Sequence, residues 1–399
     1  MSHEPLRVLL WAPRGAGEHY HGPGSFAYRL YSLADPADLE VSLVHGKPEQ
    51  ASYDLFAQQH GLGRAESVFG LPAFLWKSKK WLRAHHGDFD VFHALSGYQS
   101  SVSPAYEAER LGLPAALFIA AHGRDLADKP GVKRLIGLPA RRRRLIRRLS
   151  AVVAMSTAIY RELRSYDVPA DRIVRIPLGV NTTRFRPATD PADRRQTREM
   201  LDLPPERFTV LFVGALAAIK RPLLLVEAMA RLHPREDVQL VVVGPQNEPG
   251  YSGTVTDAIG SLGLEGRVFL RPYATEIEQY FRAADVFALP SASEGMPAAM
   301  VEAMASGLPV VGTGVSGIED LIEHGTNGSI VEPNAQSLAE ALQHYLDDPR
   351  LLAEHGARSR RRALDRYDAR AVLNAHRALF RGMLAGTPAA ASSTLPEME

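Results

Sequence analysis

Short runs of apolar residues recur along the chain and alternate with longer stretches in which apolar residues return every three or four positions. In the first half these runs occupy residues 7–11, 40–44, 91–93, 115–120 and 151–155. Short apolar runs bounded by turn residues are typical of buried strands, and a return every three or four residues is typical of amphipathic helices. Strands that alternate with helices predict a parallel sheet with helices on both faces.

The second half repeats this scheme from Phe208 onwards, with the runs FTVLFVG, VQLVVVG, VFLRP, VFALP, PVVGT and GSIVEP. We therefore predict two doubly wound α/β domains, residues 1–185 and residues 186–375. Residues 376–399 are expected to form the end of a helix that returns towards the first domain and a disordered tail. The segments IPLGVNTTRFRP and PATDPADRRQTREM indicate a linker. Ligands of such sheets bind at the carboxyl ends of strands, so we expect a joint site in the cleft between the domains.

The composition is that of a soluble globular protein. The 399 residues are 45% hydrophobic and 23% charged, and none is a cysteine. The lack of cysteine excludes disulfides, a thiolate nucleophile and zinc–thiolate sites. No apolar run approaches the length of about eighteen residues that a membrane span needs, and the first residues, MSHEPLRVLLWAP, lack the pattern of a signal peptide. We expect a cytoplasmic protein.

The net charge of +1 hides an asymmetry between the two halves. Residues 1–188 contain 26 lysines and arginines against 17 acidic residues, whereas the remainder contains 20 against 28. A basic half suits nucleic acid, an anionic membrane or an acidic substrate as a partner.

The stretch EGMPAAMVEAMASG carries two glutamates, Glu294 and Glu302, at the point where the strand VFALP ends. It predicts a helix over residues 298–305, with Pro297 in the first turn and Gly307 closing the helix. The helical rise alone separates the carboxylates by roughly 8 to 9 Å, so we do not expect them to act as an acid/base couple on one bond. The amides at the helix N-terminus would instead bind a phosphate.

On that interpretation Glu294 lies near a sugar and Glu302 near a ribose, since carboxylates accept hydrogen bonds from hydroxyl groups. The alternative is that Glu294 is only a charge that favours the helix dipole and that Glu302 is a solvated helix residue. The spacing alone favours neither interpretation.

The motif SxxEGMPxAMVEAMAxGLPVV, followed by GxxxLIEHGxNGxxVEP, resembles the E-x7-E signature and downstream region of the retaining GT-B glycosyltransferases known as family 4. Further similar segments are IPLGVNTTRFRP, FVGALAAIKRP, DFDVFHA and AAHGRDL, so the resemblance spans nearly the whole chain. Each segment alone is weakly specific, but their order and spacing are specific. The resemblance implies a GT-B fold, in which two Rossmann-like domains face each other across a cleft.

The resemblance also implies roles for residues of the second half. It assigns Glu294 to hydroxyls of the transferred sugar, Glu302 to the ribose and Lys220 to the diphosphate; the alternative for Lys220 is a solvated lysine at a helix start. It assigns a stretch of backbone to that sugar and the diphosphate, namely Gly295, Met296, Pro297 and Ala298.

The chain departs from the family pattern at Ala215, because the family usually has an arginine directly after the glycine that is Gly214 here. One phosphate contact is therefore missing or is supplied by Arg221. Gly244 allows close backbone approach, and Tyr273 stands where the family stacks or backbone-bonds the base.

In the first half, His122 of AHGRD resembles the amino-domain histidine that lines the family's cleft beside the donor sugar; the alternative is a structural histidine. Asp125 either orients His122 or caps the next helix. The loop with Gly22, Gly24 and Ser25 corresponds to the loop that borders the donor phosphates and the acceptor; the alternative is an ordinary flexible loop.

Two basic segments lie in the first half. RRRRLIRR begins at Arg141 and ends at Arg148, and LWKSKKWLR contains Trp76 and Trp81. Basic residues together with tryptophan suit peripheral attachment to an anionic leaflet, whereas a charge run is more usually a solvated face.

The expected activity is transfer of a sugar from a nucleotide diphosphate sugar, most simply a UDP- or GDP-sugar, to a saccharide or lipid-linked acceptor with retention of configuration. The product would be a cell-surface polysaccharide, a glycolipid or another glycoconjugate. No Asp-x-Asp motif lies in the segments assigned to the donor, so we expect metal-independent transfer without a cofactor besides the donor, at the inner face of the cell membrane.

Two alternatives stand beside this expectation. A nucleotide-sugar 2-epimerase of the same architecture would need no acceptor. A nucleic-acid-binding protein is disfavoured, because the second half is acidic and the basic and aromatic residues form no known module.

Overall fold

The computed structural model describes residues 4–17, 22–47, 51–65, 70–123, 125–126, 138–232, 236–272 and 274–392. The chain divides into two compact units. Unit 1 comprises Met1–Gly179 together with Ala369–Glu399, and unit 2 comprises Val180–Asp368.

Unit 1 contains a seven-stranded parallel sheet in the order β3-β2-β1-β4-β5-β6-β7. Its strands are β1 (Leu6–Ala12), β2 (Leu39–His45), β3 (Gln59–Gly61), β4 (Val91–Leu95), β5 (Ala115–Ile119), β6 (Ala151–Ala154) and β7 (Ile173–Arg175). Its described helices are α1 (Pro23–Tyr31), α2 (Gly70–His85), α3 (Gln99–Arg110), α4 (Leu138–Ile146), α5 (Thr157–Ser165) and, at the end of the chain, α13 (Ala369–Leu384). The strand order reverses between β1 and β4, which is the place where doubly wound sheets bind ligands.

Unit 2 contains a six-stranded parallel sheet in the order β10-β9-β8-β11-β12-β13. Its strands are β8 (Phe208–Val213), β9 (Val238–Val243), β10 (Val268–Arg271), β11 (Val286–Leu289), β12 (Val310–Thr313) and β13 (Gly328–Val331). Its described helices are α6 (Pro191–Met200), α7 (Pro222–Arg231), α8 (Pro249–Ser261), α9 (Ile277–Ala283), α10 (Ala298–Ala305), α11 (Ala335–Asp347) and α12 (Pro349–Arg366). The order reverses between β8 and β11. The predicted fold class, two doubly wound α/β domains, is confirmed.

The boundary between the units lies a few residues before the predicted one. Val180 donates its amide to the carbonyl of Tyr367 at 2.7 Å, and Phe185 is buried against Phe281, with ring centroids 5.6 Å apart. These contacts tie the chain to unit 2 from residue 180 onwards, whereas the sequence pattern placed the boundary at 185.

The last helix, α13, belongs to unit 1 over its full length rather than from residue 376 onwards. Its buried face includes Val372, His376 and Phe380. The ring of His376 lies 6.3 Å from that of Phe26 on α1 and 5.6 Å from that of His93 on β4. This amphipathic face, with its large apolar side chains, is buried in the core of unit 1.

The predicted linker PATDPADRRQTREM is largely helical. Asp190 caps α6 by accepting hydrogen bonds from the amides of Ala192 and Asp193, at 2.8 and 2.9 Å. The buried Arg198 then donates to Asp285 at 2.6 Å. A cap together with a buried charge pair explains a helix in a segment that has few apolar residues.

In the part of the chain that the structure describes, no helix is both long enough and apolar enough to cross a membrane.

Candidate active site

Two glycines shape the carboxyl edge of the unit 2 sheet. Gly214 follows β8 and Gly244 follows β9, and a Cβ atom added to Gly244 would lie 2.0 Å from the carbonyl oxygen of Gly214. Only glycine permits this approach, which brings the two loops together beside the point where the strand order reverses. The predicted close approach at Gly244 is thus towards the neighbouring loop.

A lysine and a glutamate pair across the reversal point. Lys220 lies in the loop after β8, Glu294 lies in the loop after β11, and the Lys220 Nζ atom donates to Glu294 Oε1 at 2.6 Å. The side chains are 28% and 8% exposed, respectively. Lys220 is therefore not a solvated lysine at a helix start, and the two predicted site residues meet although 74 positions separate them.

Three hydroxyl side chains hold the segment around Glu294. Ser291 Oγ donates to Glu294 Oε1 at 2.6 Å, and Ser316 Oγ donates to the Glu294 carbonyl at 2.7 Å. Thr313 Oγ1, at the end of β12, donates to the Ser291 carbonyl at 2.5 Å. Sequence reasoning did not single out these residues, although Ser291 stands three positions before Glu294 in the quoted S-x-x-E pattern.

Helix α10 begins directly after this segment, and its predicted bounds, residues 298–305, are confirmed. Pro297 is the N-cap residue with ψ 113°, an extended conformation, so its predicted place in the first helical turn is wrong. No side chain caps the helix, and its first turn contains no acidic residue. The first amides of α10 thus lie at the end of the helix where anions are favoured.

The loop after β12 supports the backbone before α10. Gly317 has φ 80°, and a Cβ atom there would lie 2.1 Å from the carbonyl oxygen of Gly295 and 2.9 Å from the amide nitrogen of Met296. The backbone of residues 295–296 is therefore packed against a neighbouring loop rather than left as an isolated turn.

Glu302 lies inside α10 and is only 7% exposed. The alternative that it is a solvated helix residue is therefore wrong.

The remaining predicted residues of unit 2 have different surroundings. Arg221 is the N-cap residue of α7 in the left-handed region, with φ 54°, and Ala215 is half-buried in the loop after β8. Tyr273 lies outside the described residues. The structure thus places Arg221 directly after Lys220 at the start of a helix.

In unit 1 the loop after β1 is shaped by glycine. Gly22 has φ 64° and is the N-cap residue of α1, while a Cβ atom on Gly24 would lie 2.3 Å from the carbonyl oxygen of Gly15. Ser25 is 7% exposed in the first turn of α1. Gly24 and Ser25 are therefore fixed by packing.

His122 follows β5 and is half-buried. The partners of the Asp125 carboxylate are backbone amides rather than the His122 ring, and it accepts a hydrogen bond from the amide of Ala120 at 3.0 Å. Burial raises the pKa of Asp125 even though the amides of Ala120, Gly97 and Ala121 oppose the shift. The alternative that Asp125 caps the next helix concerns residues that lie outside the described ranges.

The two basic segments differ in how their charges are used. Four arginines of the run RRRRLIRR contact other groups of unit 1: Arg142 the Leu126 carbonyl at 2.6 Å, Arg143 the Tyr166 ring at 4.4 Å, Arg147 the Tyr166 carbonyl at 2.8 Å and Arg148 the Tyr106 hydroxyl at 3.1 Å. On α2, by contrast, Trp76 is 65% exposed and Lys80 lies 5.8 Å from its ring. Trp81 is half-buried against Trp11 and His85, so only one of the two tryptophans is available at the surface.

Within the described ranges, no three histidine, aspartate or glutamate side chains are grouped closely enough to hold a metal ion.

Two doubly wound units, one with a lysine–glutamate pair beside a helix N-terminus, define a chain of the GT-B class. Residues 8–179 match the glycosyl transferase 4-like domain, and residues 193–362 match glycosyl transferases group 1. The chain belongs to the glycosyl transferases group 1 family, as the sequence resemblance implied.

Curated relatives agree with this assignment. The D-inositol 3-phosphate glycosyltransferase of Arthrobacter sp. (strain FB24) is 33% identical over 292 residues, which cover 69% of this chain and 66% of the relative. The lipopolysaccharide core biosynthesis mannosyltransferase LpsB of Rhizobium meliloti (strain 1021) is 31% identical over 249 residues, which cover 59% of this chain and 68% of that relative. In other matching D-inositol 3-phosphate glycosyltransferases the aligned region spans about half of the relative's length.

A solved structure shares the fold. Anabaena Alr3699/HepE in complex with UDP has a TM-score of 0.79 at 21% identity and covers 96% of this chain and 100% of its own. The same protein in complex with UDP-glucose has a TM-score of 0.74 at 22% identity, with the same coverage.

Proposed function

We propose that the chain transfers a glycosyl group from a nucleotide diphosphate sugar to an acceptor with retention of configuration. The observation that carries this proposal is the Lys220–Glu294 pair, which lies between the reversal point of the unit 2 sheet and the N-terminus of α10. A cation and free helix amides suit a diphosphate, and a carboxylate suits sugar hydroxyls.

The proposed donor is a UDP-sugar, since HepE has been solved with UDP and with UDP-glucose. Lys220 and the amides at the start of α10 would bind the diphosphate. Arg221 would supply the phosphate contact that the family's usual arginine makes, because that position is Ala215 in this chain. Glu294 would bind hydroxyls of the sugar and Glu302 the ribose. Gly214 and Gly244 would allow the nucleotide to approach the backbone, and Tyr273 would contact the base.

In the proposed mechanism the acceptor attacks on the face from which the nucleotide diphosphate departs. Lys220 and the α10 amides would stabilise the negative charge that develops on the leaving group. Glu294 and His122 would position the sugar rather than exchange protons. We propose that the transfer needs no metal and no cofactor besides the donor.

The proposed acceptor is a saccharide or a lipid-linked saccharide, bound by unit 1 near Gly22, Gly24 and Ser25. Two relatives carry names that fit this class, a lipopolysaccharide core mannosyltransferase and an inositol phosphate glycosyltransferase. Synthesis of a cell-surface polysaccharide or another glycoconjugate would follow from such an acceptor.

We also propose that unit 1 contacts an anionic membrane through the outer face of α2. This face presents the exposed Trp76 with Lys77 and Lys80, whereas Lys79 and Arg83 lie 4.0 and 3.6 Å from Glu107 of α3. Tryptophan beside exposed lysines suits the headgroup region of an anionic bilayer. The arginine run is the weaker candidate, because most of its guanidinium groups already contact unit 1.

Vesicle sedimentation tests this contact. The full chain is expected to sediment with vesicles of phosphatidylcholine and phosphatidylglycerol but not of phosphatidylcholine alone. The double variant Lys77→Glu, Lys80→Glu should lose this binding, and the double variant Arg141→Glu, Arg144→Glu should keep most of it. Loss of binding only in the arginine variant would refute the assignment to α2.

Donor turnover tests the main proposal. The wild-type chain is first screened against UDP, GDP, ADP and dTDP by thermal shift, because a ligand of the folded state raises its stability. Radiolabelled sugar donors of the nucleotide that binds are then supplied with and without lipid-linked saccharides. Release of nucleotide diphosphate only with an acceptor supports transfer, interconversion of the sugar without an acceptor would indicate the epimerase instead, and binding of no donor would overturn both.

A further inference from the structure

The Glu294 carboxylate is held on one of its two oxygens. Oε1 accepts hydrogen bonds from Ser291 Oγ and from Lys220 Nζ, each at 2.6 Å. Among the residues that the structure describes, no side chain or amide donates to Oε2. With Oε1 occupied by two donors, Oε2 is the oxygen that can accept a hydrogen bond from a ligand hydroxyl.

Contacts with neighbouring segments of unit 2 fix the position of Ser291. It is fully buried, two residues beyond the end of β11. Its carbonyl accepts a hydrogen bond from Thr313 Oγ1 on β12 at 2.5 Å, and the next amide, that of Ala292, donates to the carbonyl of Ile219 at 2.8 Å. The backbone that carries the Ser291 hydroxyl is therefore anchored from strand β12 and from the loop after β8.

The backbone of Glu294 is also held, by the 2.7 Å hydrogen bond from Ser316 Oγ to its carbonyl. What remains variable is the rotation of the glutamate side chain. Its two partners differ in stiffness, since Ser291 has one short torsion in a buried site whereas Lys220 has a long, partly exposed side chain. A lysine that turns towards a bound diphosphate would leave Ser291 as the fixed partner of the carboxylate.

We propose that Ser291 is a positioning residue, which orients the Glu294 carboxylate so that Oε2 faces the hydroxyls of the donor sugar. This inference rests on the proposed function, in which Glu294 binds the transferred sugar. It separates two groups of residues: Lys220 and the α10 amides act on the diphosphate, whereas Ser291 acts only on the sugar moiety, through Glu294. The affinity for UDP, which lacks the sugar, should therefore not change when the Ser291 hydroxyl is removed.

Calorimetric titration of three variants tests this separation. The full chain is titrated with UDP and with whichever of UDP-glucose, UDP-galactose and UDP-N-acetylglucosamine the wild type binds most tightly. Ser291→Ala should bind UDP as the wild type does but bind the UDP-sugar about tenfold more weakly, the loss of a hydrogen bond to a charged group. Ser291→Thr, which keeps the hydroxyl, should recover most of that loss. The matched control is Ser359→Ala, which removes another fully buried serine hydroxyl of unit 2, bonded to the Asn327 carbonyl at 2.9 Å; it should leave both affinities unchanged.

Three results would overturn the inference. If Ser291→Ala weakens UDP and the UDP-sugar by the same factor, the serine has only a structural role. If it weakens neither, Glu294 is oriented without it. If the wild type binds neither UDP nor any UDP-sugar, the proposed donor class fails and the inference fails with it, a result that the titration of the wild type separates from the other two.

Discussion

The carboxyl edges of the two sheets are built by different kinds of contact. At the edge of unit 2, side chains bond to side chains: Lys220 and Ser291 both donate to Glu294. At the edge of unit 1 the buried Asp125 accepts hydrogen bonds from backbone amides, and Gly24 fits closely against Gly15. One edge thus presents fixed functional groups, whereas the other fixes the path of its loops. This difference suits the proposed division of labour, in which unit 2 binds the donor and unit 1 the acceptor.

The largest expected effect is that of Glu294→Gln on unit 2. The amide keeps the size of the side chain but loses the charge that pairs with Lys220 and that would bind the sugar hydroxyls. Transfer, measured as kcat/KM for the donor, should fall by roughly 100-fold or more. Melting curves should change little, and the control Glu354→Gln, on an exposed face of α12, should retain full activity. Full activity of Glu294→Gln would contradict the contrast between the two edges.

Unit 1 should respond instead to acid, through the histidines of its core. His376 is fully buried, donates from Nδ1 to the Val372 carbonyl at 3.0 Å, and has a pKa lowered to about 4 by burial. Since the unfolded chain takes up this proton near pH 6.5, the stabilisation is complete above that pH and is lost as the pH falls towards 4. The loss over this window is about 3 kcal/mol.

The variant His376→Phe should remove most of this acid dependence, because a phenylalanine fits among Phe26, Phe118 and Phe380 and takes up no proton. Denaturant midpoints at pH 7 and pH 5 measure the effect. The control His344→Gln, at an exposed position of α11, should keep the wild-type difference between the two pH values. An equal pH dependence in wild type and His376→Phe would show that His376 is not the group responsible.

The variant Lys220→Ala tests whether binding of the diphosphate and binding of the sugar at the edge of unit 2 depend on different residues. Loss of the ammonium group should weaken UDP binding by about ten- to a hundredfold, because a charge-assisted hydrogen bond to the diphosphate is removed. Glu294→Gln, by contrast, should leave UDP binding nearly intact. Titration of both variants with UDP checks this difference. An unchanged affinity for UDP in Lys220→Ala would show that the lysine pairs with Glu294 but does not bind the diphosphate.

The sequence predicts the elements that local patterns define, and it misses those that depend on contacts between residues far apart in the chain. The six strands of unit 2 and helix α10 were predictable, because short apolar runs bounded by turn residues and a Pro-to-Gly frame define them locally. The edge strands β3 and β7 were missed, since each has only three residues and QHG is polar. Helix α6 was taken for a linker because its anchor, the Arg198–Asp285 pair, joins positions 87 residues apart.

The same reasoning applies to the site. Lys220 and Glu294 were each recognised from their motifs, but their pairing depends on β8 and β11 being neighbours in the sheet. The role of Ser291 follows from the direction of its hydroxyl, which no pattern of residue types encodes. In unit 1 the contact of Asp125 with the amides of Ala120, Ala121 and Gly97 was not foreseen, because the direction in which its carboxylate turns is not encoded in the residue pattern.

The smallest expected effect concerns the loop of unit 1, where two glycines make different demands. Gly22 has φ 64°, but among the described residues no atom lies within 4 Å of a Cβ atom added to it, whereas at Gly24 such an atom would meet the Gly15 carbonyl at 2.3 Å. Gly22→Ala should therefore cost only the backbone strain of the left-handed region, about 1 to 2 kcal/mol, and Gly24→Ala should cost more because the loop must move. Denaturation of the two variants gives these values, and acceptor KM gives the functional consequence. If Gly24→Ala destabilises no more than Gly22→Ala, the loop is not fixed by packing and the contrast between the two edges is weaker than the geometry indicates.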